Sequence, residues 1–197
     1  EWDAAALYVV GEALPGEVAT EIRRRVVAGK GLLVLLRNAS MAGTVARLLG
    51  VDSLSVTEAV VRDYVLWENI DFRHPCFAPF ADPRFSDFTR IHFWKYRKID
   101  FRAIPNARVV AGFDTGDPGL LEVTAGRGRI LLLSSGWHPA DSQLALSTKF
   151  VPLMYSILES AGGAVPSPGQ MVVGESVVAP AGFGSRDEVT LQKPSGI

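Results

Sequence analysis

The segment VVAGFDTGDPGLLEVTAGRGRILLLS, residues 109–134, decides the fold class of this chain. Three apolar runs are separated by an Asp-Thr-Gly-Asp-Pro cluster and by a Gly-Arg-Gly turn. Apolar runs bounded in this way are typical of strands joined by tight turns. From Thr148 to Leu158 the apolar residues recur at helical spacing, and Gly162 and Gly163 are placed to end a helix. Strands followed by a helix with one apolar face indicate an α/β protein.

The first fifty residues predict a β-α-β unit. An apolar run at residues 4–10 is followed by a helix that begins near Pro15 and by a second apolar run at residues 32–36. Such a unit forms a right-handed crossover between parallel strands. A further helix is expected from Met41 to Leu49, with Ser40 as its N-cap. Together with the hairpin above, this predicts a mainly parallel sheet with an antiparallel hairpin, flanked by helices.

The rest of the chain has a looser pattern. We expect a strand at residues 64–67, a Pro-rich loop at 72–87 and an exposed strand at 91–99. After a Pro/Gly/Ser linker come three short strand-like pieces, at residues 171–173, 177–179 and 189–191. About thirty residues cannot bury a core of their own. The sequence therefore predicts an α/β domain at 1–163 and a linker with a short β-rich tail at 164–197, which either packs on the main domain or begins a following β region.

Composition narrows the functional classes. The chain has 197 residues, of which 48% are hydrophobic and 21% are charged, so it can bury a substantial core. Its formal net charge is −1, with 20 basic and 21 acidic residues, which provides no global attraction for nucleic acid or an anionic membrane. Its longest apolar run is far shorter than the roughly 20 residues that span a bilayer. The single cysteine excludes an intrachain disulfide and a cysteine-built zinc site.

Several local phrases resemble a known module. They are the opening strand, GKGLLV at 29–34, HPCF at 74–77, FDTGDP at 113–118, GRGR at 126–129 and FVPL at 150–153. As an ensemble, spread over residues 3–161, they resemble the class I glutamine-amidotransferase-like domain of BatA-type bacterial membrane proteins, which carry an N-terminal double-transmembrane segment. The resemblance implies a three-layer flavodoxin-like sheet. It also implies a membrane-anchored parent that displays the domain on the periplasmic side.

The chain departs from the catalytic pattern of that fold. Class I amidotransferases place a cysteine on a G-x-C-x-G elbow and pair it with a histidine in an H-x-E phrase, and neither motif is present. Cys76 lies between Pro75 and Phe77 with no glycine beside it, so we interpret it as an ordinary loop or core thiol. The sequence thus predicts a non-catalytic binding or assembly domain that uses no cofactor and whose partners are other proteins.

The alternative is a divergent hydrolase on the same fold. Ser40, His138 and Asp141 each follow a predicted strand and are expected along the carboxyl edge of the sheet, where α/β proteins bind ligands. Helix capping by Ser40, and a loop at His138 that covers the sheet edge, explain the same residues without catalysis. The spacing of the three histidines fits no metal motif, so no metal site is predicted.

The exposed strand predicted at 91–99 carries a candidate interaction surface. Its residues are basic or aromatic: Arg90, His92, Trp94, Lys95, Tyr96 and Arg97. This composition also occurs in proteins that bind single-stranded nucleic acid. Alternation along a strand would place Lys95 and Arg97 on one face and His92, Trp94 and Tyr96 on the other, a pattern typical of an edge strand protected by charge. We therefore favour a protein contact over nucleic acid.

Overall fold

The computed structural model describes residues 5–162 of the chain. The three strand-like pieces predicted at 171–173, 177–179 and 189–191, and the tail at 164–197 as a whole, lie outside the described residues. The described part contains three α-helices, α1 (Gly16–Val27), α2 (Ala42–Leu49) and α3 (Phe150–Gly162). None of these helices is long and apolar enough to cross a membrane.

Eight strands form two sheets in the described part of the chain. They are β1 (Leu7–Val10), β2 (Gly31–Leu35), β3 (Val56–Glu58), β4 (Trp67–Ile70), β5 (Arg97–Ile99), β6 (Ala107–Phe113), β7 (Pro118–Ala125) and β8 (Gly128–Leu133). The main sheet has the order β1-β2-β8-β7-β6-β4, and β3 pairs with β5 in a small second sheet. The α/β class expected from the sequence is therefore confirmed.

The main sheet is mixed. β1, β2 and β8 are parallel neighbours, whereas β8, β7, β6 and β4 pair antiparallel in turn. Four of the six strands, β1, β2, β8 and β6, consequently run in one direction. The antiparallel part is larger than the single predicted hairpin, because β6 also pairs antiparallel with β7 and β4 adds to the outer edge of β6.

Both faces of the sheet are covered. Leu32 and Val34 of β2 point to the face that carries α1 and α2, whereas Leu33 and Leu35 point to the face that carries α3. Strands buried on both sides need continuous apolar runs, which explains the composition of β2 and β8. The α3 face is completed by buried aromatic side chains from the region between β4 and β6, Phe77, Phe80, Phe88 and Phe93, and by the buried Phe113 at the end of β6.

Two details of the predicted elements are wrong. Ser40 does not cap α2: it lies in a short 3-10 turn, Ala39–Met41, and its hydroxyl donates to Asn38 Oδ1 at 2.6 Å. The strand predicted at 64–67 begins at Trp67 instead and continues to Ile70. The end of α2 is as expected, since Gly50 adopts the left-handed conformation (φ 73°) that terminates a helix.

The exposed strand predicted at 91–99 is also wrong for most of its length, because only Arg97–Ile99 is a strand. The amides of the consecutive residues Trp94 and Lys95 both donate to the Asp141 carbonyl, at 2.9 and 3.1 Å. Successive amides of a regular strand point to opposite sides, so this shared acceptor interrupts the alternation. Phe93 is tied by backbone bridges to Val65 and Ser142.

Candidate functional site at the carboxyl edge of the sheet

The carboxyl ends of β2 and β8 lie side by side, as expected for the ligand-binding edge of an α/β sheet. Leu36 follows β2, and its amide donates to the Leu133 carbonyl at 2.9 Å. The chain before β5 crosses this edge, since the Arg97 amide donates to the Ser134 carbonyl at 2.7 Å. The side chains around this crossing therefore determine whether the edge can bind a ligand or catalyse a reaction.

The buried guanidinium of Arg97 fills this edge. Its side chain is 5% exposed, and its Nε donates to Glu58 Oε2 at 2.9 Å. Its Nη1 donates to the Leu36 carbonyl at 3.2 Å and lies 4.0 Å from Asp141 Oδ2. Glu58 also accepts a hydrogen bond from the Ala39 amide through Oε1, at 3.1 Å. One cation thus connects the end of β2, the end of β3 and the loop that carries Asp141, and it is balanced by two carboxylates.

Three serine hydroxyls at the same edge donate hydrogen bonds to backbone carbonyls. Ser134 Oγ donates to the Pro118 carbonyl at 2.7 Å, and Ser135 Oγ donates to the Lys95 carbonyl at 2.6 Å. Ser142 Oγ donates to the Gly136 carbonyl at 2.9 Å. A nucleophilic serine needs a base that accepts its proton, and these hydroxyls are all buried and bonded to carbonyl oxygens.

The three residues of the alternative hydrolase are bonded to other groups. Ser40 bonds to Asn38, and the His138 Nδ1 accepts the Ala140 amide at 3.1 Å. The carboxylate of Asp141 faces cations, with Lys95 Nζ at 3.9 Å from Oδ1. Among the described residues, no hydrogen bond joins the side chains of any two of Ser40, His138 and Asp141, although the Asp141 amide donates to the His138 carbonyl at 2.7 Å.

A second polar cluster lies on the α3 face of the sheet, away from this edge. His74 is buried, and its Nε2 lies 3.2 Å from Glu122 Oε1 in the middle of β7. Its Nδ1 accepts the Cys76 amide at 3.3 Å, and Cys76 Sγ lies 3.3 Å from Ser160 Oγ of α3. Cys76 is fully buried, in agreement with its interpretation as a core thiol.

The His74–Glu122 pair carries charge inside the protein. Burial opposes protonation of His74, but the side chains of Cys76 and Glu122 outweigh it and raise the pKa of His74 to about 9. The nearby His74 side chain lowers the pKa of Glu122, against the opposing effect of burial. Sequence reasoning missed this pair, because the two residues lie on different elements. The one available signal was an acidic residue inside the apolar run of β7.

The six residues of the predicted interaction surface divide into two groups. Tyr96 and Arg97 are buried, which corrects their assignment to that surface. The Tyr96 hydroxyl donates to Asp117 Oδ2 at 2.6 Å, and burial, together with this carboxylate, raises the pKa of Tyr96 to about 12. Arg90 and Lys95 are exposed, and His92 and Trp94 are half-buried.

The exposed group includes a neighbour that the sequence did not single out. The ring of Tyr64, itself 48% exposed, stacks on His92 with centroids 3.9 Å apart and an interplanar angle of 6°. The Trp94 ring lies edge-on to His92 at 6.2 Å, and its Nε1 donates to the Pro139 carbonyl at 3.1 Å. We call Tyr64, Arg90, His92, Trp94 and Lys95 the aromatic patch. In the described part of the chain, no three His, Cys, Asp or Glu side chains cluster as a metal site requires.

Comparison with known proteins supports the fold. No protein-family model matches the chain, and no curated protein matches it. Among solved structures, the cytoplasmic protein STM3548 from Salmonella typhimurium is 17% identical over 79% of this chain and 71% of its own, with a TM-score of 0.57. The cytoplasmic protein STM1381 from Salmonella typhimurium LT2 is 14% identical over 81% and 74%, with a TM-score of 0.58.

A third similar structure is a protein from Parabacteroides merdae ATCC 43184 that is described as ThuA-like. It is 16% identical over 82% of this chain and 72% of its own, with a TM-score of 0.52. These likenesses support the glutamine-amidotransferase-like class I fold expected from the sequence. At such low identity they show the fold alone, because one α/β scaffold hosts many functions.

Proposed function

We propose that this chain is a non-catalytic binding or assembly domain with flavodoxin-like layering, and that it belongs to a membrane-anchored bacterial protein, displayed on the periplasmic side. The membrane-anchored parent rests on the phrases that resemble the BatA-type domain. The helices on both faces of the sheet are compatible with flavodoxin-like layering. The non-catalytic role rests on the carboxyl edge, where Arg97 is bonded to protein groups and where the hydroxyls of Ser134, Ser135 and Ser142 donate to backbone carbonyls.

The observation that carries the binding role is the aromatic patch. Interface hot spots are enriched in Trp, Tyr and Arg, and they work best when their side chains are already ordered. The backbone beneath the patch is fixed, since the Gln143 amide donates to the His92 carbonyl at 2.8 Å and the His92 amide donates to Gln143 Oε1 at 3.2 Å. Stacking by Tyr64 and the hydrogen bond of Trp94 fix the rings.

The charges of the patch favour a protein partner that offers carboxylates beside an apolar or aromatic group. Arg90 and Lys95 are exposed and neighbour His92 and Trp94 in the sequence, and Lys95 is only loosely paired with Asp141, at 3.9 Å. A nucleic-acid site needs several phosphate contacts along a continuous groove. Here the buried position of Arg97 removes one of the cations that the sequence would have supplied.

A photo-crosslinking experiment tests the binding role in the full-length parent protein in its own cells. A photoreactive phenylalanine analogue replaces Trp94, and a matched control carries it in place of Phe85, which is 51% exposed outside the patch. We expect a discrete protein adduct from position 94 alone, and its loss when Tyr64 is changed to Ala. Equal adducts from both positions, or adducts to nucleic acid at position 94, would contradict the proposal.

A turnover assay tests the absence of catalysis. Purified protein is assayed with glutamine and with short-chain aryl esters, in parallel with the Ser40→Ala and His138→Ala variants. We expect the three proteins to be indistinguishable from buffer. Turnover that either substitution abolishes would establish the hydrolase alternative, since a nucleophile and its base act only within hydrogen-bond reach.

A further inference from the structure

Helix α3 is apolar on two faces. Its inward face packs on the sheet through Leu153 and Ile157, which are 1% and 2% exposed. Its outward face carries Val151, Tyr155 and Leu158, which are 74%, 63% and 38% exposed. A surface helix ordinarily has charged or polar residues on the face that points away from the core. The outward face of α3 departs from this rule, which indicates that it packs against a partner.

The spacing of the outward residues indicates what kind of element packs there. Val151, Tyr155 and Leu158 are separated by four and then three positions, so they form one line along α3. We call these three residues the outward stripe. Alternating separations of four and three are those of the seam along which two helices pack together. A second helix therefore fits the outward stripe.

The arrangement of the stripe favours a second copy of this chain. Val151 and Leu158 lie at its two ends, and Tyr155 lies near its middle. If a two-fold axis passes beside Tyr155, the two α3 helices run antiparallel, and Val151 of one protomer meets Leu158 of the other. The stripe carries no charge, and the one charged residue of α3, Glu159, is half-buried. Two copies therefore meet along the stripe without like-charge repulsion.

The size of the contact predicts a reversible dimer. α3 has 13 residues, so it is about 20 Å long, and with its side chains it is roughly 10–12 Å wide. A stable interface buries roughly 800 Å² per partner, and one face of so short a helix covers less than that. Smaller interfaces are typical of weak and transient complexes. We therefore expect a dimer that dissociates on dilution.

We propose that the outward stripe is the contact of a reversible homodimer, in which two α3 helices pack antiparallel across a two-fold axis beside Tyr155. An exposed apolar surface on a folded domain commonly marks such a contact. The outward stripe shares no residue with the aromatic patch. Dimerisation and the binding role of that patch are therefore separate properties, and either one can fail without the other.

Sedimentation equilibrium of the full chain over a hundredfold range of concentration tests the dimer. We expect the average mass to rise from that of one chain toward that of two chains, and Tyr155→Lys to abolish the rise. The matched control is Val60→Lys, which places the same charge at a position that is 95% exposed outside α3 and should leave the rise unchanged. Both variants should unfold at the wild-type temperature, because both positions are exposed.

Disulfide trapping tests the antiparallel arrangement. Val151 and Leu158 are seven positions apart, which is about 10 Å along the helix axis. In the proposed dimer, Val151→Cys of one protomer therefore lies within disulfide reach of Leu158→Cys of the other, whereas two copies of the same variant hold their thiols about 10 Å apart along the axis. We expect a mixture of the two variants to form the linked dimer at least tenfold faster than either variant alone. The natural Cys76 is buried, so it does not compete.

Each outcome bears on the proposal. A mass that rises with concentration, is held at one chain by Tyr155→Lys alone and is trapped fastest by the mixed cysteine pair supports it. The mass of one chain at every concentration would overturn it and would show that something other than a second copy packs on α3. A dimer that Tyr155→Lys leaves intact would also overturn it, because another surface would then form the contact. Fastest trapping of like positions would exclude the antiparallel arrangement.

Discussion

The buried pair of His74 and Glu122 makes the stability of this protein depend on pH in a direction that can be worked out. In the unfolded chain a histidine has a pKa of 6.5, whereas in the folded protein the pKa of His74 is about 9. The folded state therefore holds the proton more tightly. The stabilisation is fully present below pH 6.5 and is lost as the pH rises through 9.

The magnitude follows from the same two values. Each tenfold change in proton affinity is worth about 1.4 kcal/mol, so the rise from 6.5 to about 9 corresponds to about 3 kcal/mol of unfolding free energy. The His74 side chain is 1% exposed, so solvent screens this interaction little. A loss of about 3 kcal/mol is a large fraction of the total stability of a typical domain.

Urea unfolding at pH 6 and pH 9.5 measures this effect in the wild-type protein and in His74→Gln. The wild-type protein should lose about 3 kcal/mol between the two pH values, and the variant should lose much less because its side chain does not titrate. The matched control is His138→Gln, which removes an exposed histidine and should retain the wild-type dependence. An equal loss in wild type and His74→Gln, or an NMR titration that places the pKa of His74 at or below 6.5, would refute the reasoning.

Three further substitutions test the packing, each by its free energy of unfolding. Arg97→Met should cost about 3 kcal/mol, because it leaves the buried Leu36 carbonyl and the buried Asp141 carboxylate without their cation. The exposed substitution Arg90→Met should cost less than about 0.5 kcal/mol, and equal effects would contradict the role of Arg97. Gly128→Ala should lower the free energy of unfolding by at least about 2 kcal/mol, because the added Cβ would collide with the backbone oxygens of Val26 at the end of α1 and of Lys30 before β2. The control Gly43→Ala adds a Cβ that meets no atom, so it should stabilise α2 by about 0.5–1 kcal/mol. Phe113→Ala should cost about 3–5 kcal/mol as a cavity in the aromatic core, and a cost below about 1 kcal/mol would show that this core is loosely packed.

The local sequence predicted the helices and strands whose apolar residues recur at a regular spacing. The β-α-β unit of β1, α1 and β2, the hairpin of β7 and β8, and the glycine end of α2 all appear near their expected positions. These elements are determined by neighbours within a few residues and by the need to bury apolar runs. The bounds of β4 were predicted wrongly, at 64–67 instead of Trp67–Ile70, because β4 pairs with β6, a strand about forty residues away, and its own sequence is polar in the middle.

The sequence by itself determined that this is an α/β protein without an amidotransferase elbow. Strands, turns and a nucleophile motif each depend on residues that are adjacent in the sequence, so they can be recognised without the tertiary structure. Only the tertiary structure decided which residues of the basic and aromatic segment 90–97 are buried and which are exposed. It buried Tyr96 and Arg97 and left Trp94 and Lys95 at the surface, since the partners of Arg97 come from Glu58, Asp141 and the end of β2. Such long-range pairings set the burial of a charge, and no local period encodes them.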